Sequence, residues 1–547
     1  MCVIRYCLSR KSAFSVGKKK FLHLLNFVKN NLRLRGISWK HPWHSRRGAL
    51  KTLLTTLLFA VAFFNFNQVH AQNQVKEWTV LVYLNADNDL YRFGFLNMAQ
   101  MEAIGSTAGM NVVVQFDPEP AGQPTTRYFV TKNPKPVNGK ITSQVLEQMP
   151  ETDMGSPKTL SDFLVWGVQK YPAKKYAVIV WNHGNGWQGV SYDDNPQSHL
   201  SMPELRGGFE SMNMAIAQQR GARNRGPQID LINFDACIMS ALEVGYELKD
   251  VAKYMVGSQF NEPGEGENYT LFLTPMAAKP AITPRELAEV MVYQYSMNYK
   301  GRSSINYAAV DLTRINNFVA GFNQTVGVTN ASPNKGKIKN AYGSGSFDLV
   351  TGLNGARAAA GTDANSTAAL DALIAAYGYP KEGMERGVPN MRESFQASGL
   401  TVSRFKPSQV NFKTTVNGQW QQAPMVLGAN GQYEYKFNRR PAQYYVVSAG
   451  GTRGREVAVR DALTTVLRDD ANPIMFHNQF PETSPLIADS YTLQTKGAHG
   501  MTLFSLAGMM SARNPSTARF GTDMLSQYKE LLFARGGAPN WTAFFGL

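Results

Sequence analysis

The chain has 547 residues, and its 56 Lys and Arg residues against 40 Asp and Glu residues give a formal net charge of +16. That excess lies in residues 1–71, which contain 13 basic and no acidic residues, whereas residues 72–547 contain 43 basic and 40 acidic residues. A nucleic-acid partner is therefore not expected, because phosphate binding needs a basic patch on the folded domain. The 43% hydrophobic and 11% aromatic content excludes general disorder.

The N-terminal segment has the pattern of a secretion signal. Residues 53–66 carry no charge, basic residues precede them, and Val-His-Ala at 69–71 provides a small-x-small cleavage site before Gln72. We therefore expect residues 1–71 to be removed and the protein to be secreted or periplasmic. The apolar run is shorter than the ~20 residues of a membrane span, so no stable span is expected in the mature form. An uncleaved anchor is the alternative.

The next predicted elements alternate apolar strands with amphipathic helices. Helices are expected from Pro157, from Ser201, and from just after Cys237 to about Asp250. Nearly continuous apolar strands separated by helices indicate an α/β fold with a mainly parallel sheet covered on both faces. The predicted strands are residues 80–84, 111–116, 176–181, 229–234, 254–258 and 305–310.

The C-terminal half changes character near Thr401. Residues 330–400 are mostly helical in pattern, whereas 410–420 predicts a hairpin with an Asn-Gly turn and 433–437 alternates as a strand. We expect one domain over 72–400, a smaller β-rich insertion over 401–490, and a return to the first domain over 491–547.

The chain beyond residue 71 contains few Cys and His residues. Of three Cys residues, Cys2 and Cys7 lie in the segment expected to be removed, which leaves Cys237. A lone Cys is either a small buried hydrophobic residue or a functional thiol. No clustered thiolates or imidazoles indicate a zinc site. The mature His residues are His183, His199, His477 and His499.

Two predicted strands end in residues that suit nucleophilic catalysis. One strand leads into His183-Gly184 and another into Cys237, and ligands of open parallel sheets bind at the carboxyl ends of strands. Imidazole can accept the thiol proton, and a following helix N-terminus would favour the thiolate. The N–H groups of Gly184 and Cys237 are candidate oxyanion donors. For His183 the alternative is an ordinary turn residue.

These residues resemble the clostripain-like cysteine peptidases, relatives of caspases, gingipains and legumains. The resemblance covers roughly residues 78–390 and, more loosely, the stretch from His499. It implies a caspase-like αβα sandwich. The motifs that carry it are residues 78–90, 181–187, 234–239 and 258–266.

The resemblance implies a role for each matched position. His183 matches the catalytic His and Cys237 the nucleophile, while Asp235 and Glu265 match acidic positions that recognise a basic side chain. Glu265 replaces the family's usual Asp, and Glu267-Asn268-Tyr269 replaces its usual Trp-Asp-Tyr. A guanidinium binds carboxylates through paired hydrogen bonds, which agrees with these roles. The alternatives are a helix N-cap for Asp235 and a solvated loop carboxylate for Glu265.

The resemblance also implies self-processing between His183 and Cys237. Residues 218–227 contain three Arg among small polar residues, which indicates an exposed linker, and Arg220 and Arg223 are the candidate cleavage positions. No cofactor is expected. Some relatives use Ca²⁺, and the adjacent carboxylates Asp193 and Asp194 are weak candidates for it.

The sequence therefore predicts a secreted cysteine endopeptidase that cleaves peptide or protein substrates after Arg or Lys through a thioester. The alternative is a non-catalytic binding or adhesion protein on a caspase-like scaffold. A serine hydrolase is disfavoured because no Gly-x-Ser-x-Gly motif is present.

Overall fold

The computed structural model describes most of the chain beyond residue 74. The predicted signal peptide, its cleavage site and Arg223 therefore lie outside the described residues. The described residues are 75–119, 123–221, 226–299, 305–343, 345–379, 391–395, 407–413, 420–424, 426–427, 433–437, 443–448, 465–467, 474–478, 480–492, 498–506 and 524–546.

The strands include all six that the apolar runs predict. In chain order they are β1 (Lys76–Ala86), β2 (Met110–Pro118), β3 (Thr126–Phe129), β4 (Gln144–Gln148), β5 (Ala173–Trp181), β6 (Val190–Asp194), β7 (Gln197–Leu200), β8 (Ile229–Asp235), β9 (Ala252–Gly257), β10 (Asn306–Asp311), β11 (Gly345–Asp348), β12 (Met391–Phe395), β13 (Pro407–Lys413), β14 (Trp420–Pro424), β15 (Val426–Leu427), β16 (Tyr433–Phe437), β17 (Gln443–Ser448), β18 (Thr465–Leu467), β19 (Ile474–His477), β20 (Leu486–Thr492) and β21 (Thr502–Ser505).

The helices alternate with the strands over the first part of the chain. The α-helices are α1 (Tyr91–Ile104), α2 (Pro157–Lys170), α3 (Met202–Gln219), α4 (Leu242–Leu248), α5 (Tyr269–Ala278), α6 (Pro284–Asn298), α7 (Leu312–Asn330), α8 (Lys335–Ala341), α9 (Leu349–Ala360), α10 (Ala364–Tyr377), α11 (Met524–Glu530) and α12 (Pro539–Phe545). A 3₁₀ turn spans Gly186–Gln188 and a π-helical turn spans Phe533–Gly537. None of the described helices is both long and apolar enough to cross a membrane.

The main sheet has eleven strands in the order β18-β19-β20-β10-β9-β8-β5-β1-β2-β3-β4. The five strands β9, β8, β5, β1 and β2 are parallel to one another and form the centre of the sheet. On either side, β10 and β3 pair antiparallel with this central set. The predicted α/β fold with a mainly parallel central sheet is therefore confirmed. Because parallel strands all end at one edge, the residues that follow β1, β5 and β8 meet there.

Both faces of the sheet are buried, which explains the nearly continuous apolar runs. Alternate residues of β1 pack into opposite hydrophobic cores. Leu81 and Tyr83 lie in the core on one face of the sheet, and Val80 and Val82 lie in the core on the other face. Helices α2, α3, α4 and α7 cover the first face, and α1, α5 and α6 cover the second. Each fully buried Val or Leu contributes about 1.5–3 kcal/mol relative to exposure, so the two layers hold the strand ends in place.

The region predicted as a β-rich insertion contains short antiparallel strands. β13 pairs with β14 and β17, which agrees with the predicted hairpin, although six residues separate β13 from β14. β12, β15 and β16 form a second small sheet. β18, β19 and β20 all belong to the main sheet, so the chain has rejoined that sheet by Thr465. The domain boundaries at 400 and 490 stay predictions.

The expected helix directly after Cys237 is wrong. Helix α4 begins five residues later, at Leu242, because the intervening segment pairs with distant backbone instead. The N–H groups of Ile238 and Ser240 donate to the carbonyls of Phe260 and Ser258, and Ser240 accepts from Thr502. These long-range hydrogen bonds hold the segment out of a helix, so no helix dipole acts on the thiol.

Candidate active site

His183 and Cys237 follow neighbouring parallel strands at equivalent positions. Trp181 of β5 lies opposite Asp235 of β8, and each reactive residue comes two positions after one of this pair. The Asn182 N–H donates to the Asp235 carbonyl at 3.2 Å, which continues the pairing beyond the strands. The structure therefore brings the two predicted residues to adjacent positions on the carboxyl edge of the sheet.

Gly184 closes the space between the two strand ends. A Cβ atom on Gly184 would lie 2.4 Å from the Cys237 carbonyl oxygen and 3.1 Å from the Ala236 Cβ atom. Real Cβ atoms do not approach backbone oxygen so closely, so a larger residue would push the His183 loop away from Cys237. The backbone contact thus requires glycine at this position.

The Cys237 thiol lies half-buried beside the loop that follows β9. Its Sγ atom accepts a hydrogen bond from the Glu262 N–H at 3.2 Å. Burial raises the pKa of the Cys237 thiol, and the nearby Asp235 carboxylate raises it further, while the Glu262 N–H acts in the opposite direction. A proton acceptor is therefore needed to form the thiolate near neutral pH.

The His183 imidazole is suited to accept that proton. Its side chain is 42% exposed, and its Nε2 atom lies 2.7 Å from Oδ1 of Asp89, which follows β1. Nδ1 forms no hydrogen bond to any described residue and is available to a thiol. The sequence analysis missed Asp89, although Asp89 lies within the 78–90 motif that carries the family resemblance.

The two candidate oxyanion donors are available for a ligand. Neither the Gly184 N–H nor the Cys237 N–H donates to another residue in the described part of the chain. Preorganised backbone N–H groups can stabilise the negative charge that forms on a carbonyl oxygen during acyl transfer. Together, a thiol, an imidazole and two available amides provide the groups that thioester chemistry requires.

Asp235 is buried beneath the thiol and is only 4% exposed. Its Oδ1 atom accepts from the Glu267 N–H and its Oδ2 atom from the Tyr269 hydroxyl, both at 2.9 Å. Burial raises the pKa of Asp235 to about 7. The N-cap alternative for Asp235 is wrong, since the residue at the N-cap position of α4 is Ala241.

Two further carboxyl groups lie beside Asp235, and the sequence analysis missed both as site residues. Neither oxygen of Glu262 has a hydrogen-bond partner, whereas Glu267 accepts from the Asn233 amide at 2.7 Å. Burial, together with the charges of the neighbouring acids, raises the pKa of Glu262 and of Glu267 well above the ordinary value. The Tyr295 hydroxyl faces Glu262 and acts in the opposite direction on its pKa.

We call Asp235, Glu262 and Glu267 the thiol-side acidic group. No Lys or Arg of the described chain forms an ion pair with any of the three. Burying ionised carboxylates without a cation is costly, which agrees with the raised pKa values of all three groups. Because Glu262 also contacts the thiol through its N–H, the group lies next to the nucleophile.

The remaining predicted residues lie at opposite edges of the sheet: Glu265 lies on the side of the thiol, whereas Arg220 lies near the start of β5. Glu265 is partly exposed in the loop between β9 and α5, and its carbonyl accepts from the Asn97 side chain of α1. Arg220 follows α3 and donates to the Lys174 carbonyl at 2.7 Å. Arg220 is therefore anchored at the helix end. Glu262 lies within the 258–266 motif that carries the family resemblance, and Glu267 directly follows it. That position is the sequence signal that could have identified both residues.

A separate group of carboxylates lies at the same edge of the sheet. One oxygen from each of Asp87, Glu151 and Asp193 lies within 4.8 Å of the other two. Asp194, the other Ca²⁺ candidate, is exposed at the end of β6 and does not belong to this group.

Comparison with known proteins assigns the matched region to one family. Residues 82–346 match the family model described as Peptidase_C11, clostripain family. Clostripain from Hathewaya histolytica is 23% identical over 244 residues, which cover 37% of this chain and 46% of clostripain. The chain thus spans less than half the length of that relative.

Several solved protease structures resemble this chain weakly when the whole chains are superposed. A secreted C11 cysteine protease from Bacteroides thetaiotaomicron, in complex with an irreversible peptide inhibitor, has a TM-score of 0.46 and 15% identity, over 86% of this chain and 99% of that chain. An inactive zymogen C11 protease from Parabacteroides distasonis has a TM-score of 0.38 and 18% identity, over 51% of this chain and 78% of that chain.

Proposed function

We propose that the chain, whose residues 82–346 match the clostripain family model, is a cysteine endopeptidase with Cys237 as nucleophile and His183 as general base. The observation that carries the proposal is the placement of both residues two positions beyond the opposed pair Trp181 and Asp235. This placement supports a thiol–imidazole pair, because both residues follow neighbouring strands at the same edge of the sheet.

The proposed reaction is acyl transfer through a thioester. The His183 imidazole accepts the thiol proton, and the Cys237 Sγ atom then forms a bond to the carbonyl carbon of the scissile peptide. The Gly184 and Cys237 N–H groups stabilise the oxyanion. The imidazolium protonates the leaving amine as the C–N bond breaks, and water, deprotonated by His183, then hydrolyses the thioester to release the acid and the thiol.

Cleavage after Arg or Lys is the proposed specificity. The thiol-side acidic group supports it, because Asp235 and Glu262 place buried carboxyl groups next to the nucleophile, and a bound guanidinium would favour their ionised forms. A guanidinium is the better fit, since its planar fork can bond two carboxylates at once. Glu265, by resemblance, is proposed to contribute a further carboxylate at the entrance to this pocket.

We also propose that the chain processes itself after Arg220 or Arg223. Arg220 lies at the exposed end of α3, and Gly221 adopts a left-handed conformation (φ 61°) that ends the helix. Both Arg residues would suit the basic specificity. Export with cleavage before Gln72 is proposed from the signal pattern of residues 1–71.

A fluorogenic peptide ending in Arg tests the proposed activity. The wild-type full chain should hydrolyse it, and iodoacetamide or the Cys237→Ala substitution should abolish hydrolysis. The substitution is needed because iodoacetamide also alkylates Cys2 and Cys7 in the full chain. Hydrolysis by Cys237→Ala protein would show that Cys237 is not the nucleophile, whereas no hydrolysis by the wild type would favour the binding-protein alternative. Purified Cys237→Ala protein should also remain a single chain.

A further inference from the structure

The backbone directly after the nucleophile adopts a conformation that its side chain disfavours. Ile238 has a φ of 65°, which lies in the left-handed region. A β-branched side chain is rarely found there, and such a residue persists only where the surrounding structure holds it. We call residues 237–241 the thiol segment. Because this segment precedes α4 and forms no helix of its own, contacts from elsewhere in the chain must hold it.

Two segments distant in sequence supply those contacts. On one side, the N–H groups of Ile238 and Ser240 donate to carbonyls of residues 258–260, at 3.0 and 2.8 Å. On the other side, the Ser240 hydroxyl donates to a carbonyl of residues 500–502, and the Ser240 carbonyl accepts from an N–H group of the same residues at 2.9 Å. The conformation of the thiol segment therefore depends on where these two flanking segments lie.

One buried carboxylate joins the two flanking segments. Asp348 is 6% exposed and lies at the N-cap of α9, where it accepts from the Thr351 N–H at 2.7 Å. The Gln259 amide, from the first flanking segment, donates to Asp348 at 2.8 Å. His499, directly before the second, approaches Asp348 twice: its N–H donates at 3.0 Å, and its Nδ1 atom lies 2.7 Å away. We call Asp348, Gln259 and His499 the Asp348 network.

The Gln259 side chain is used for its donor alone. Besides Asp348, its amide donates to the Met501 carbonyl at 3.0 Å, whereas its Oε1 atom has no hydrogen-bond partner among the described residues. The Gln259 backbone is also anchored, because its N–H donates to the Asn306 side chain at 2.6 Å. Gln259 thus ties the first flanking segment to the second both directly and through Asp348.

The His499 imidazole is restricted by its surroundings. It is 7% exposed, and the Tyr379 ring packs edge-on against it with the ring centroids 4.6 Å apart. The Tyr377 hydroxyl donates to the His499 carbonyl at 2.7 Å, which fixes the backbone as well. Buried polar networks whose donors and acceptors are paired make the surrounding structure rigid. His499 is therefore held beside Asp348.

We propose that Asp348, Gln259 and His499 are positioning residues for the reaction at the thiol. By holding both flanking segments, they keep the thiol segment in its strained conformation, with the Cys237 N–H available to the oxyanion. Acyl transfer depends on this preorganisation, because a displacement of about 1 Å can cost on the order of a hundredfold in rate. The catalytic consequence rests on the proposed function, whereas the restraint on the backbone does not.

Two substitutions of His499 isolate its side-chain hydrogen bond. Both remove the ring, but His499→Asn keeps an N–H group in the place of Nδ1, whereas His499→Leu puts a methyl group there. For the Arg peptide, His499→Leu full chain should lose about tenfold in kcat per site titrated with an alkylating Arg peptide, with KM nearly unchanged. His499→Asn should recover most of that loss. A purely structural His499 would lower the melting temperature and give the same kcat per titrated site in both variants, which would overturn the proposal.

Hydrogen exchange measured by mass spectrometry tests the network without relying on activity. In Cys237→Ala full chain, adding His499→Leu should accelerate exchange of the Ile238 and Ser240 amides at least about tenfold and leave the amides of β1 unchanged. Unchanged exchange in the thiol segment, or equal acceleration throughout the chain, would overturn the proposal whether or not the wild-type protein is active. Local acceleration together with an inactive wild type would refute the proposed function and support the restraint on the backbone.

Gln259→Met replaces His499→Leu if that variant does not fold. It removes the donor to Asp348 at nearly constant side-chain length, and it also removes the unpaired Oε1 atom, so the fold should tolerate it better. Gln259→Met should show the same local acceleration of exchange and the same direction of change in kcat. Wild-type exchange and wild-type kcat in this variant would contradict the assignment.

Discussion

Two acidic groups lie at the carboxyl edge of the same sheet, and they differ in what surrounds them. In the thiol-side acidic group, Tyr269 donates to Asp235 and Asn233 donates to Glu267. In the second group, formed by Asp87, Glu151 and Asp193, the carboxylates face one another, and backbone N–H groups are the only donors to Asp193 among the described residues.

The difference shows how neighbouring groups arrange buried acids. Hydroxyl and amide donors orient separate carboxylates beside Cys237, which under the proposed function suits an extended organic cation such as a guanidinium. The oxygens of Asp87, Glu151 and Asp193 instead converge to within 4.8 Å of one another. Net charge alone would not distinguish the two groups.

Asp235→Asn should produce the largest change on the thiol side. Losing one partner of a buried charge pair costs about 2–5 kcal/mol, so kcat/KM for an Arg peptide should fall roughly 30- to 5,000-fold. Hydrolysis of a matched peptide ending in norleucine should change far less. An equal loss on both peptides would mean that Asp235 supports the fold and not the specificity.

Glu262→Gln should reduce turnover of the Arg peptide next most strongly, by about ten- to a hundredfold. Glu265→Gln is the comparison, and its effect should be smaller because a partly exposed carboxylate is screened by water. The ratio of Arg to norleucine turnover measures both effects. If only Glu265→Gln changes this ratio, the buried Glu262 does not contact the substrate.

Asp89→Ala tests whether Asp89 orients the His183 imidazole. Because the Asp89–His183 hydrogen bond is exposed to solvent, kcat should fall only about tenfold, with KM nearly unchanged. Asp89→Glu should recover part of the loss. A change in KM without a change in kcat would assign Asp89 to substrate binding instead.

Glu243→Gln should affect stability and leave activity unchanged. Glu243 is buried on α4, accepts from the Phe504 N–H and the Tyr528 hydroxyl, and has an unpaired Oε2 atom. Burial raises its pKa from 4.5 to about 7.

The raised pKa fixes the direction of this effect. Between pH 4.5 and 7 the unfolded chain releases the proton while the folded chain keeps it, so the free energy of unfolding decreases as the pH rises. Glu243→Gln should therefore stabilise the protein at pH 8 by on the order of 2–3 kcal/mol and change little at pH 4. Urea unfolding at both pH values measures the difference, and equal effects at both would refute it.

The sequence was sufficient for the features that depend on continuous apolar runs. The strands that carry His183 and Cys237 read as buried strands because both faces of the sheet are covered. Parallel topology then placed the two residues at one edge.

Features that depend on distant pairing were missed. The helix expected after Cys237 was displaced by backbone hydrogen bonds to Ser258, Phe260 and Thr502, which no local pattern reveals. Glu262, Asp89 and Asp87 lie in loops, where charged residues are common and periodicity is absent. Only their burial and their unpaired oxygens distinguish them from solvated residues.

The most direct test of the account is covalent labelling of the full chain with a peptidyl chloromethyl ketone that ends in Arg, followed by peptide mapping by mass spectrometry. The account predicts one label, on the Cys237 Sγ atom, formed rapidly in the wild type and at least about a hundredfold more slowly in His183→Ala protein. Equal labelling of both proteins, or labelling of Cys2 or Cys7 in place of Cys237, would contradict it.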